Sequence, residues 1–417
     1  MLPDFDPQRE NSFFRLFQDF YDLEKSVARQ HDPANYTLER LRPLAQLAGN
    51  PERGLKLVHV AGTKGKGTTS YFIASLITAS GHRCGVFSSP HLDTVRERFQ
   101  VDGRLASFDD LEALAIPLCE KVRQAGLAPS LFELFTVLAL QHFQGQGVEY
   151  AVLETGIGGR VDSTNYPDQK ELSVITPLSY DHTALLGSDI RQIAAEKAGI
   201  LRQDTPVLLA HQPFPQAEEV IRQTAASLHA PLFPPGEDAP VAWLPFPLPP
   251  FLLENFQCAW SAVKRLGLSP RRELFRFPRL RARFERIRER PPVILDAAHN
   301  GDSARRLKEA LALLYPRIHF LCILGSVPGK DVAGIVQGLK GMDADFILTN
   351  PKTPRGSALP QLLQEARKAG LSIRQVIPDL TSPSQLPGDT PLLFTGSFFT
   401  ALIGETLFHA PQTTPIP

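Results

Sequence analysis

Apolar side chains in the first fifty residues recur every three or four positions, the spacing of one helix face. One stripe comprises Phe13, Phe14, Phe17, Phe20 and Tyr21, and a second comprises Leu38, Leu41 and Leu44. Stripes with this spacing usually pack into a hydrophobic core. We therefore predict helices within residues 11–48 whose apolar faces are buried.

Beyond residue 50, short apolar runs typical of strands alternate with longer segments typical of helices. In a first series, strands are predicted at residues 55–61, 85–88, 150–154, 173–176 and 206–210, and helices at residues 70–79, 131–143 and 190–201. In a second series, strands are predicted at residues 293–295, 319–324, 346–348 and 392–395, and helices at residues 304–314, 331–340 and after residue 395. The alternation predicts an α/β protein with mostly parallel sheets covered by helices on both faces.

The length of 417 residues exceeds what one hydrophobic core usually serves, so we expect two domains. Residues 231–250 are rich in proline, which we interpret as a stiff connector rather than a docking peptide, and a helix is predicted at residues 253–266. Residues 271–290 carry many arginines interleaved with glutamates, and we interpret most of them as a solvated face or linker. The boundary is placed near residue 290, giving domains of residues 1–290 and 291–417.

Composition narrows the classes of partner. Lys+Arg and Asp+Glu both total 44, so there is no excess positive charge to attract nucleic acid or anionic membranes, and neither partner is expected. The four cysteines are widely spaced without a C-x-x-C pair, which indicates neither a disulfide framework nor a zinc site. No run approaches the roughly 18 apolar residues of a spanning helix, and the first ten residues lack a secretory pattern, so a cytoplasmic location is expected.

A glycine-rich segment, H-V-A-G-T-K-G-K-G-T-T at residues 59–69, lies between a predicted strand and a predicted helix. Its glycines allow backbone conformations that side chains forbid, so that successive N–H groups can point at phosphate oxygens at the start of the helix. Lys66 is suited to the terminal phosphates, and the Thr68 hydroxyl is suited to magnesium. The common P-loop pattern is not met, because Val60 occupies the first glycine position and Gly67 separates Lys66 from Thr68.

This segment resembles the nucleotide loop of the Mur ligase superfamily, and its extra glycine before the threonine resembles the folylpolyglutamate synthase and dihydrofolate synthase branch. That branch usually has asparagine where this chain has Lys64, and lysine there is familiar among the wall-building Mur enzymes. The resemblance implies a catalytic role for Lys66. It implies ATP binding by Gly62, Thr63, Lys64, Gly65, Lys66, Gly67 and Thr68.

A second motif, L-E-T-G-I-G-G-R-V-D-S-T-N at residues 153–165, begins at the end of a predicted strand. Ligands of open α/β sheets bind at the carboxyl ends of strands, so a carboxylate here can reach a metal held by the phosphate loop. The motif is similar to the E-x-G-x-G-G-R-x-D-x-T-N block of the folate ligases. That resemblance implies that Glu154 binds magnesium and that Val161, Asp162 and Ser163 lie beside the folate or pteroate.

A third motif combines D-H-T at residues 181–183, L-G at residues 186–187 and E-K-A-G-I at residues 196–200. It resembles the family block in which the histidine binds a second magnesium ion and the lysine is carbamylated. Carried over, His182 is a metal ligand and Lys197 becomes a metal-binding carbamate, both with catalytic roles. A carbamate converts the lysine from a cation into an anion suited to magnesium, which is our hypothesis for Lys197.

Two shorter matches lie between these motifs. Residues 87–92 with Glu97 and Arg98 resemble the family's S-S-P-H-L…E-R segment, which places Ser89 near magnesium. Residues 130–136 resemble its T-x-F-E-x-x-T segment, which places Ser130 near the pterin.

Further matches concern ATP. L-R-A-R-F-E at residues 280–285 resembles the family's P-G-R-F-E hinge, with Ala282 in place of the usual glycine, and implies that Arg283 reaches ATP. Asn255 matches an asparagine that contacts adenine. Asp296, in D-A-A-H-N at residues 296–300, matches the D-x-A-H-N signature and is expected to bind ATP.

The remaining matches concern the incoming amino acid. In the same signature, His299 and Asn300 are expected to face that amino acid, His299 with a catalytic role. Residues 329–331, G-K-D, are like the family's D-K-D loop, and residues 396–399 resemble its late G-S-x-x segment, where Ser397 binds the glutamate carboxylate.

Together the motifs imply a Mur-ligase-like α/β fold: an N-terminal P-loop ATPase domain with a parallel sheet, a smaller Rossmann-like C-terminal domain, and an active site in the cleft between them. The implied enzyme is a monomer that uses ATP and Mg²⁺, with two ions and room for a monovalent cation, to join L-glutamate to a folate or pteroate. Two alternatives stay open: a Mur-type ligase acting on a cell-wall or other peptide, which Lys64 favours, and a non-catalytic nucleotide-binding scaffold.

Overall fold

The computed structural model describes residues 6–22, 37–181, 183–351 and 356–408. Within these residues the chain forms two compact units. The first unit comprises the described residues up to 245 together with residues 252–278, and the second comprises residues 246–251 and those from 279 onward. His182, predicted as a metal ligand, lies outside the described residues.

The first unit is built on a sheet with the strand order β4-β3-β2-β5-β1-β6-β7-β8. Its strands are β1 (Lys56–Ala61), β2 (Cys84–Phe87), β3 (Phe99–Val101), β4 (Arg104–Leu105), β5 (Tyr150–Glu154), β6 (Leu172–Ile175), β7 (Val207–Leu209) and β8 (Leu232–Phe233). All neighbouring pairs from β2 to β8 are parallel, and β3 and β4 add an antiparallel edge. The central strand β5 is buried along its whole length, as expected for a parallel sheet covered on both faces.

Helices cover this sheet, and several begin at a side chain that caps their first turn. They are α1 (Pro7–Arg15), α2 (Leu41–Leu47), α3 (Lys66–Ala79), α4 (Phe108–Gln124), α5 (Leu131–Gly145), α6 (Thr183–Leu186), α7 (Ile190–Ala198), α8 (Pro215–Ser227) and α9 (Pro250–Arg265). Asp6, Ser107, Ser130 and Asp189 accept hydrogen bonds from N–H groups of α1, α4, α5 and α7, which are otherwise unpaired at a helix start. Short 3₁₀ turns occur at Val95–Arg98, Ser163–Asn165, Val241–Trp243 and Pro383–Gln385.

The predicted apolar stripes are confirmed as core in part, because Phe14, Phe20, Tyr21 and Leu38 are only partly buried and the helix predicted for the first stripe ends at Arg15. Phe13, Phe17, Leu41 and Leu44 are buried in one cluster with side chains of α4 and α5. The ring of Phe13 stacks on that of Phe135, with centroids 6.4 Å apart. The stripes therefore fasten α1 and α2 to the helices that cover one side of the sheet.

The second unit contains a sheet with the strand order β13-β12-β11-β14-β10-β9. Its strands are β9 (Glu285–Glu289), β10 (Pro292–Leu295), β11 (Phe320–Leu324), β12 (Ala344–Leu348), β13 (Ile373–Val376) and β14 (Leu392–Thr395), and its helices are α10 (Gly301–Leu314), α11 (Val332–Leu339), α12 (Leu359–Ala369) and α13 (Phe398–Phe408). All strand pairs are parallel except β9 with β10. This parallel sheet with helices confirms the predicted α/β class.

Each predicted strand has a counterpart whose bounds differ by at most two residues. The prediction for the arginine-rich segment was partly wrong. Arg271 and Arg272 are exposed, as expected of a solvated segment. Arg281 is instead buried and donates to the carboxylate of Glu405 on α13, and residues 285–289 form β9. The ion pair could not be predicted from the charged pattern of the segment, because Glu405 lies far from Arg281 along the chain.

Candidate active site

Four neighbouring parallel strands of the first unit, β2, β5, β1 and β6, end at the same edge of the sheet. The predicted phosphate loop follows β1, Glu154 is the last residue of β5, and Ser89 lies two residues beyond β2. The segment with Pro177 and Asp181 follows β6. The carboxyl ends of parallel strands are where open α/β sheets bind ligands, so the topology brings the three predicted motifs to one place.

The phosphate loop passes directly into α3. Gly65 caps this helix with φ of 79°, a left-handed conformation that disfavours other residues. A Cβ atom at Gly65 would collide with the side-chain oxygen of Asn255, so Asn255 lies against the loop, and its predicted contact with adenine stays a prediction. Lys66, Gly67 and Thr68 form the first turn of α3, whose N–H groups are suited to phosphate oxygens.

The chain after β6 braces the loop. The N–H groups of Thr63 and Lys64 both donate to the carbonyl oxygen of Pro177 at 3.1 Å. The hydroxyl of Thr63 donates to the carbonyl oxygen of Ser179 at 3.0 Å. Sequence reasoning missed the bracing by Pro177; a proline directly after a predicted strand marks the end of regular strand pairing, because it has no N–H group to donate.

Glu154 and Ser89 meet across two adjacent strand ends. The N–H group of Ser89 donates to Oε2 of Glu154 at 3.3 Å, and the Glu154 side chain is buried. In the described part of the chain, no three His, Cys, Asp or Glu side chains come together as a metal cage. Magnesium usually takes one or two carboxylates together with phosphate oxygens and water, so the donor set of Glu154 and the Thr68 hydroxyl fits a magnesium ion bound with a nucleotide.

Lys197 lies near the end of α7 and is buried. Burial and the positive charge of Lys66 lower its pKa to about 7, against the smaller opposing effects of Asp181, Asp162 and Glu196. Because the charge of Lys66 acts on Lys197, the structure brings these two predicted catalytic lysines near each other. A lysine in this setting offers a neutral amine near pH 7, which is the form that reacts with CO₂ to give a carbamate.

The glycine turn after β5 packs tightly on α7. The N–H group of Arg160 donates to the carbonyl oxygen of Glu196 at 2.7 Å. A Cβ atom at Gly159 would lie 2.7 Å from that same oxygen and 3.0 Å from Cα of Lys197, so a side chain does not fit there. Glycine at this position therefore permits the close approach of the two predicted motifs.

Asp162 is buried within this turn, between the partly exposed Val161 and Ser163. Its carboxylate accepts hydrogen bonds from the N–H groups of Ile157 at 2.8 Å and Thr164 at 3.0 Å. Burial raises the pKa of Asp162, and these hydrogen bonds oppose that shift. The carboxylate thus holds the shape of the turn on which Val161 and Ser163 are displayed.

Ser130 is buried at the start of α5 in a capping box with Glu133. The hydroxyl of Ser130 accepts from the N–H group of Glu133 at 3.2 Å, and the N–H group of Ser130 donates to the Glu133 carboxylate at 2.5 Å. The same helix start approaches the glycine turn, because the ring of Phe132 lies against Gly156. The structure therefore gives Ser130 a structural task beside the turn, and its contact with a pterin stays a prediction.

In the second unit, Asp296 follows β10 and organises the hinge segment. Its carboxylate accepts from the N–H groups of Phe284 and Ala298, both at 2.9 Å. Ala282 and Phe284 have positive φ angles of 54° and 51°. Ala282 thus holds the conformation that the usual glycine of the hinge motif would adopt easily, and the hinge survives the substitution.

Arg283 and His299 approach the same ring. The guanidinium carbon of Arg283 and the imidazole of His299 each lie 6.0 Å from the ring centroid of Phe398. Asn300 caps α10 by accepting from the N–H group of Ser303 at 2.9 Å. Arg283, predicted to reach ATP, and His299, predicted to face the amino acid, thus share Phe398 as a neighbour, and their roles and that of Asn300 stay predictions.

Ser397 follows β14 and is buried. Its hydroxyl lies 2.7 Å from that of Thr400, which in turn donates to the carbonyl oxygen of Gly325 at the end of β11. Ser397 thus stands at the carboxyl edge of the second sheet.

None of the helices among the described residues is long and apolar enough to cross a membrane. The profile of a family described as "Mur ligase, glutamate ligase domain" matches residues 282–386. The chain is 31% identical over 352 residues to the dihydrofolate synthase/folylpolyglutamate synthase of Escherichia coli (strain K12), an overlap that spans 78% of this chain and 80% of that protein. The chain belongs to the dihydrofolate synthase/folylpolyglutamate synthase family.

Solved structures of this family share the fold. E. coli FolC in complex with DHPP and ADP has a TM-score of 0.78 and 28% identity, covering 94% of this chain and 95% of that one. A bifunctional folylpolyglutamate synthase/dihydrofolate synthase from Yersinia pestis, complexed with AMPPNP and Mn ion, has a TM-score of 0.76 and 29% identity, covering 91% and 94%. The predicted Mur-ligase-like fold is confirmed, and the chain is an ATP-dependent ligase that works with a divalent metal ion.

Proposed function

We propose that this ligase adds L-glutamate to a folate, with dihydropteroate as a second acceptor. The observation that carries the proposal is the meeting of the phosphate loop, Glu154 and Lys197 at one edge of the first sheet. The E. coli relative is named dihydrofolate synthase/folylpolyglutamate synthase, and its name supports a folate acceptor rather than a cell-wall peptide. The ordered loop, with its lysine and buried carboxylate, argues against a non-catalytic scaffold.

In the first step, the γ-phosphoryl group of ATP passes to the acceptor carboxylate and forms an acyl phosphate and ADP. The N–H groups at the start of α3 and the ammonium group of Lys66 hold the phosphates and stabilise the negative charge that develops on them. Glu154 and the Thr68 hydroxyl would hold magnesium, with Ser89, His182 and a carbamate on Lys197 as further ligands for two ions. Magnesium held there would supply positive charge to neutralise the phosphate oxygens.

Asn255, lying against the loop, contacts adenine, and Arg283 and Asp296 bind the nucleotide from the second unit. The folate lies beside Val161, Asp162 and Ser163, with Ser130 near its pterin. The proposed nucleotide and folate contacts thus draw on the loop, the glycine turn and the start of α5 in the first unit, and on Arg283 and Asp296 in the second.

In the second step, the amine of glutamate attacks the acyl phosphate, and the tetrahedral intermediate collapses to an amide and phosphate. His299, Asn300 and Ser397 bind and orient the glutamate. An enzyme nucleophile is not needed, because ATP has already activated the carboxylate.

The proposal includes a central ATP-binding domain of residues 1–290 and a glutamate ligase domain of residues 291–417. It also includes a monomeric enzyme in the cytoplasm and room for a monovalent cation. Gel filtration with light scattering at working concentrations tests the monomer directly.

A phosphate-release assay tests the activity. The purified chain is offered pteroate, dihydropteroate, tetrahydrofolate or a cell-wall precursor, each with ATP, Mg²⁺ and a panel of amino acids. We expect phosphate release with a folate and L-glutamate, together with a product heavier by one glutamate. Release with the cell-wall precursor alone would favour the Mur-type alternative, and no release with any acceptor would favour the scaffold.

A further inference from the structure

Next to the glycine turn of the first unit, polar side chains form a hydrogen-bonded series that is buried except for the partly exposed Lys170, and the proposed mechanism gives a task only to its member Asp162. At its centre, the Nζ atom of Lys170 lies 2.8 Å from Nδ1 of His59, 2.6 Å from Oδ1 of Asn165 and 2.7 Å from the carbonyl oxygen of Ile200. On the other side of the imidazole, Nε2 of His59 lies 2.8 Å from the hydroxyl of Thr164. That hydroxyl lies 2.5 Å from Oδ1 of Asp162.

The contacts fix the direction of each hydrogen bond. The Asp162 carboxylate accepts two backbone N–H groups, so it is the acceptor for the single hydroxyl hydrogen of Thr164. The Thr164 oxygen can then only accept from Nε2 of His59, which also lies 3.1 Å from the hydroxyl of Thr155. A neutral imidazole with its hydrogen on Nε2 accepts at Nδ1, so the ammonium group of Lys170 donates all three of its hydrogens.

The charged side chains around His59 also favour its neutral form. Burial, reinforced by the charges of Lys170 and Arg202, lowers the pKa of His59 well below its ordinary value. Burial also lowers the pKa of Lys170, so keeping its charge here costs free energy, which three short hydrogen bonds offset. An apolar side chain would avoid this cost, which points to a task for the ammonium group other than stability.

These hydrogen-bonded side chains join three elements of the candidate active site. His59 lies in β1, directly before the phosphate loop, and Asp162 lies in the glycine turn after β5. The carbonyl of Ile200 follows the helix that carries Lys197. The amide nitrogen of Asn165 adds two bonds between these segments, donating to the carbonyl oxygens of Arg160 at 2.9 Å and of Gly199 at 3.0 Å.

We infer that Lys170 and His59 are positioning residues that act through Thr164 to hold the Asp162 carboxylate, and with it the folate-facing turn, in register with β1 and the end of α7. This inference rests on the proposed function, which places Asp162 beside the folate. Neither Lys170 nor His59 touches the substrate; both set the direction of a carboxylate that shapes its site.

Steady-state kinetics of single and double variants test the inference. Thr164→Val removes the hydroxyl and keeps the shape, Thr164→Ser keeps the hydroxyl, and Lys170→Met removes the ammonium group. We expect Thr164→Val and Lys170→Met each to raise KM for the folate about tenfold, because small displacements of positioning groups weaken productive binding, while KM for ATP stays unchanged. Thr164→Ser restores the original KM, and Lys264→Met, on the exposed side of α9, serves as the control.

The double variant shows whether Lys170 acts through Thr164 or independently of it. If Lys170 acts through Thr164, the combination Thr164→Val with Lys170→Met has the KM of one single variant rather than the product of both effects. Lower thermal stability with unchanged KM for the folate, or effects that multiply, would overturn the inference. Should Lys170→Met fail to fold, the pair Thr164→Val and Thr164→Ser still decides it.

Asp162→Asn separates this inference from the proposed function. If Asp162→Asn raises KM for the folate and Thr164→Val does not, the positioning role of Lys170 and His59 through Thr164 is wrong. The assignment of Asp162 to the folate site is then still supported. If Asp162→Asn leaves KM for the folate unchanged, the assignment of Asp162 fails, and the inference falls with it.

Discussion

The buried amine of Lys197 lies within reach of the positive charge of Lys66, and burial together with this charge lowers the pKa of Lys197 to about 7. Two cations held together in a buried site repel each other. Conversion of the Lys197 amine to a carbamate replaces this repulsion with attraction, because the new group is an anion beside Lys66. The pair therefore supplies a physical reason for the modification that the sequence motif predicted.

Lys197→Ala is expected to lower kcat by a factor of about 100 or more, because it removes a charged group that holds magnesium at the moving phosphoryl group. Added short carboxylates such as acetate or propionate should restore part of the activity by occupying the space of the carbamate. Mass spectrometry of the native protein in bicarbonate should show the extra mass of CO₂ on the wild type and not on the variant. Full activity of Lys197→Ala without any added acid would contradict the carbamate.

Lys66→Ala is expected to lower kcat by about 100- to 1,000-fold, because Lys66 offsets the charge that builds up on the transferred phosphoryl group. The fold should stay intact, since Lys66 opens α3 and is not part of the hydrophobic core. Phosphate release measures the loss of kcat, and circular dichroism checks that the fold is intact. Lys264→Ala on the exposed side of α9 is the matched control, and near-normal turnover of Lys66→Ala would refute the loop assignment.

Strands and loops that depend on residues close together along the chain could be predicted from the sequence. The strand β5 and the loop at Gly65 carry local signals, a short apolar run and a glycine cluster before a helix. The hairpin of β3 and β4 was missed although Asp102 and Gly103, with positive φ angles, form the Asp-Gly turn that commonly joins two strands.

Contacts between residues far apart in the sequence could not be predicted in this way. His59 and Lys170 are 111 positions apart, and Arg281 and Glu405 are 124 positions apart. Each of these side chains looks like an ordinary polar residue in its own segment, and only the folded chain pairs it. The residues that hold the site in shape therefore escaped a sequence analysis that found the motifs themselves.

The hinge at Ala282 gives a prediction about stability. Ala282 is buried with φ of 54°, so glycine fits its backbone and a β-branched residue does not. We expect Ala282→Gly to change the free energy of unfolding by less than about 1 kcal/mol, and Ala282→Val to lower it by about 2 kcal/mol or more.

Urea denaturation measures both variants. The matched control is Ala310→Gly, in the interior of α10, where the backbone is helical and glycine should cost about 1 kcal/mol or more. Equal losses for Ala282→Gly and Ala282→Val would show that the left-handed conformation is absent.

The ion pair of Glu405 with Arg281 predicts a dependence of stability on pH. Burial alone would raise the pKa of Glu405, but the hydrogen bonds and charges of Arg281 and Arg279 outweigh it and lower the pKa. A carboxyl whose pKa is lower in the folded state stabilises the fold above its ordinary value of 4.5, and this contribution is lost as the pH falls through the folded-state pKa.

Glu405→Gln should therefore lower stability at pH 6 to 7 by about 3 kcal/mol, because it leaves Arg281 buried without its charged partner. The difference in melting temperature between wild type and variant should shrink as the pH falls below 4.5. Glu309→Gln, on the exposed side of α10, is the control. A difference that stays constant down to pH 3 would show that the pair does not titrate with folding.

Two amides of the phosphate loop are already engaged, because Thr63 and Lys64 both donate to Pro177. Those amides have no hydrogen left for an incoming anion, so in the proposed site the later amides, at the first turn of α3, are the ones open to nucleotide oxygens. The backbone of the loop is therefore already in a fixed conformation before a nucleotide binds. Little conformational entropy is then lost on binding.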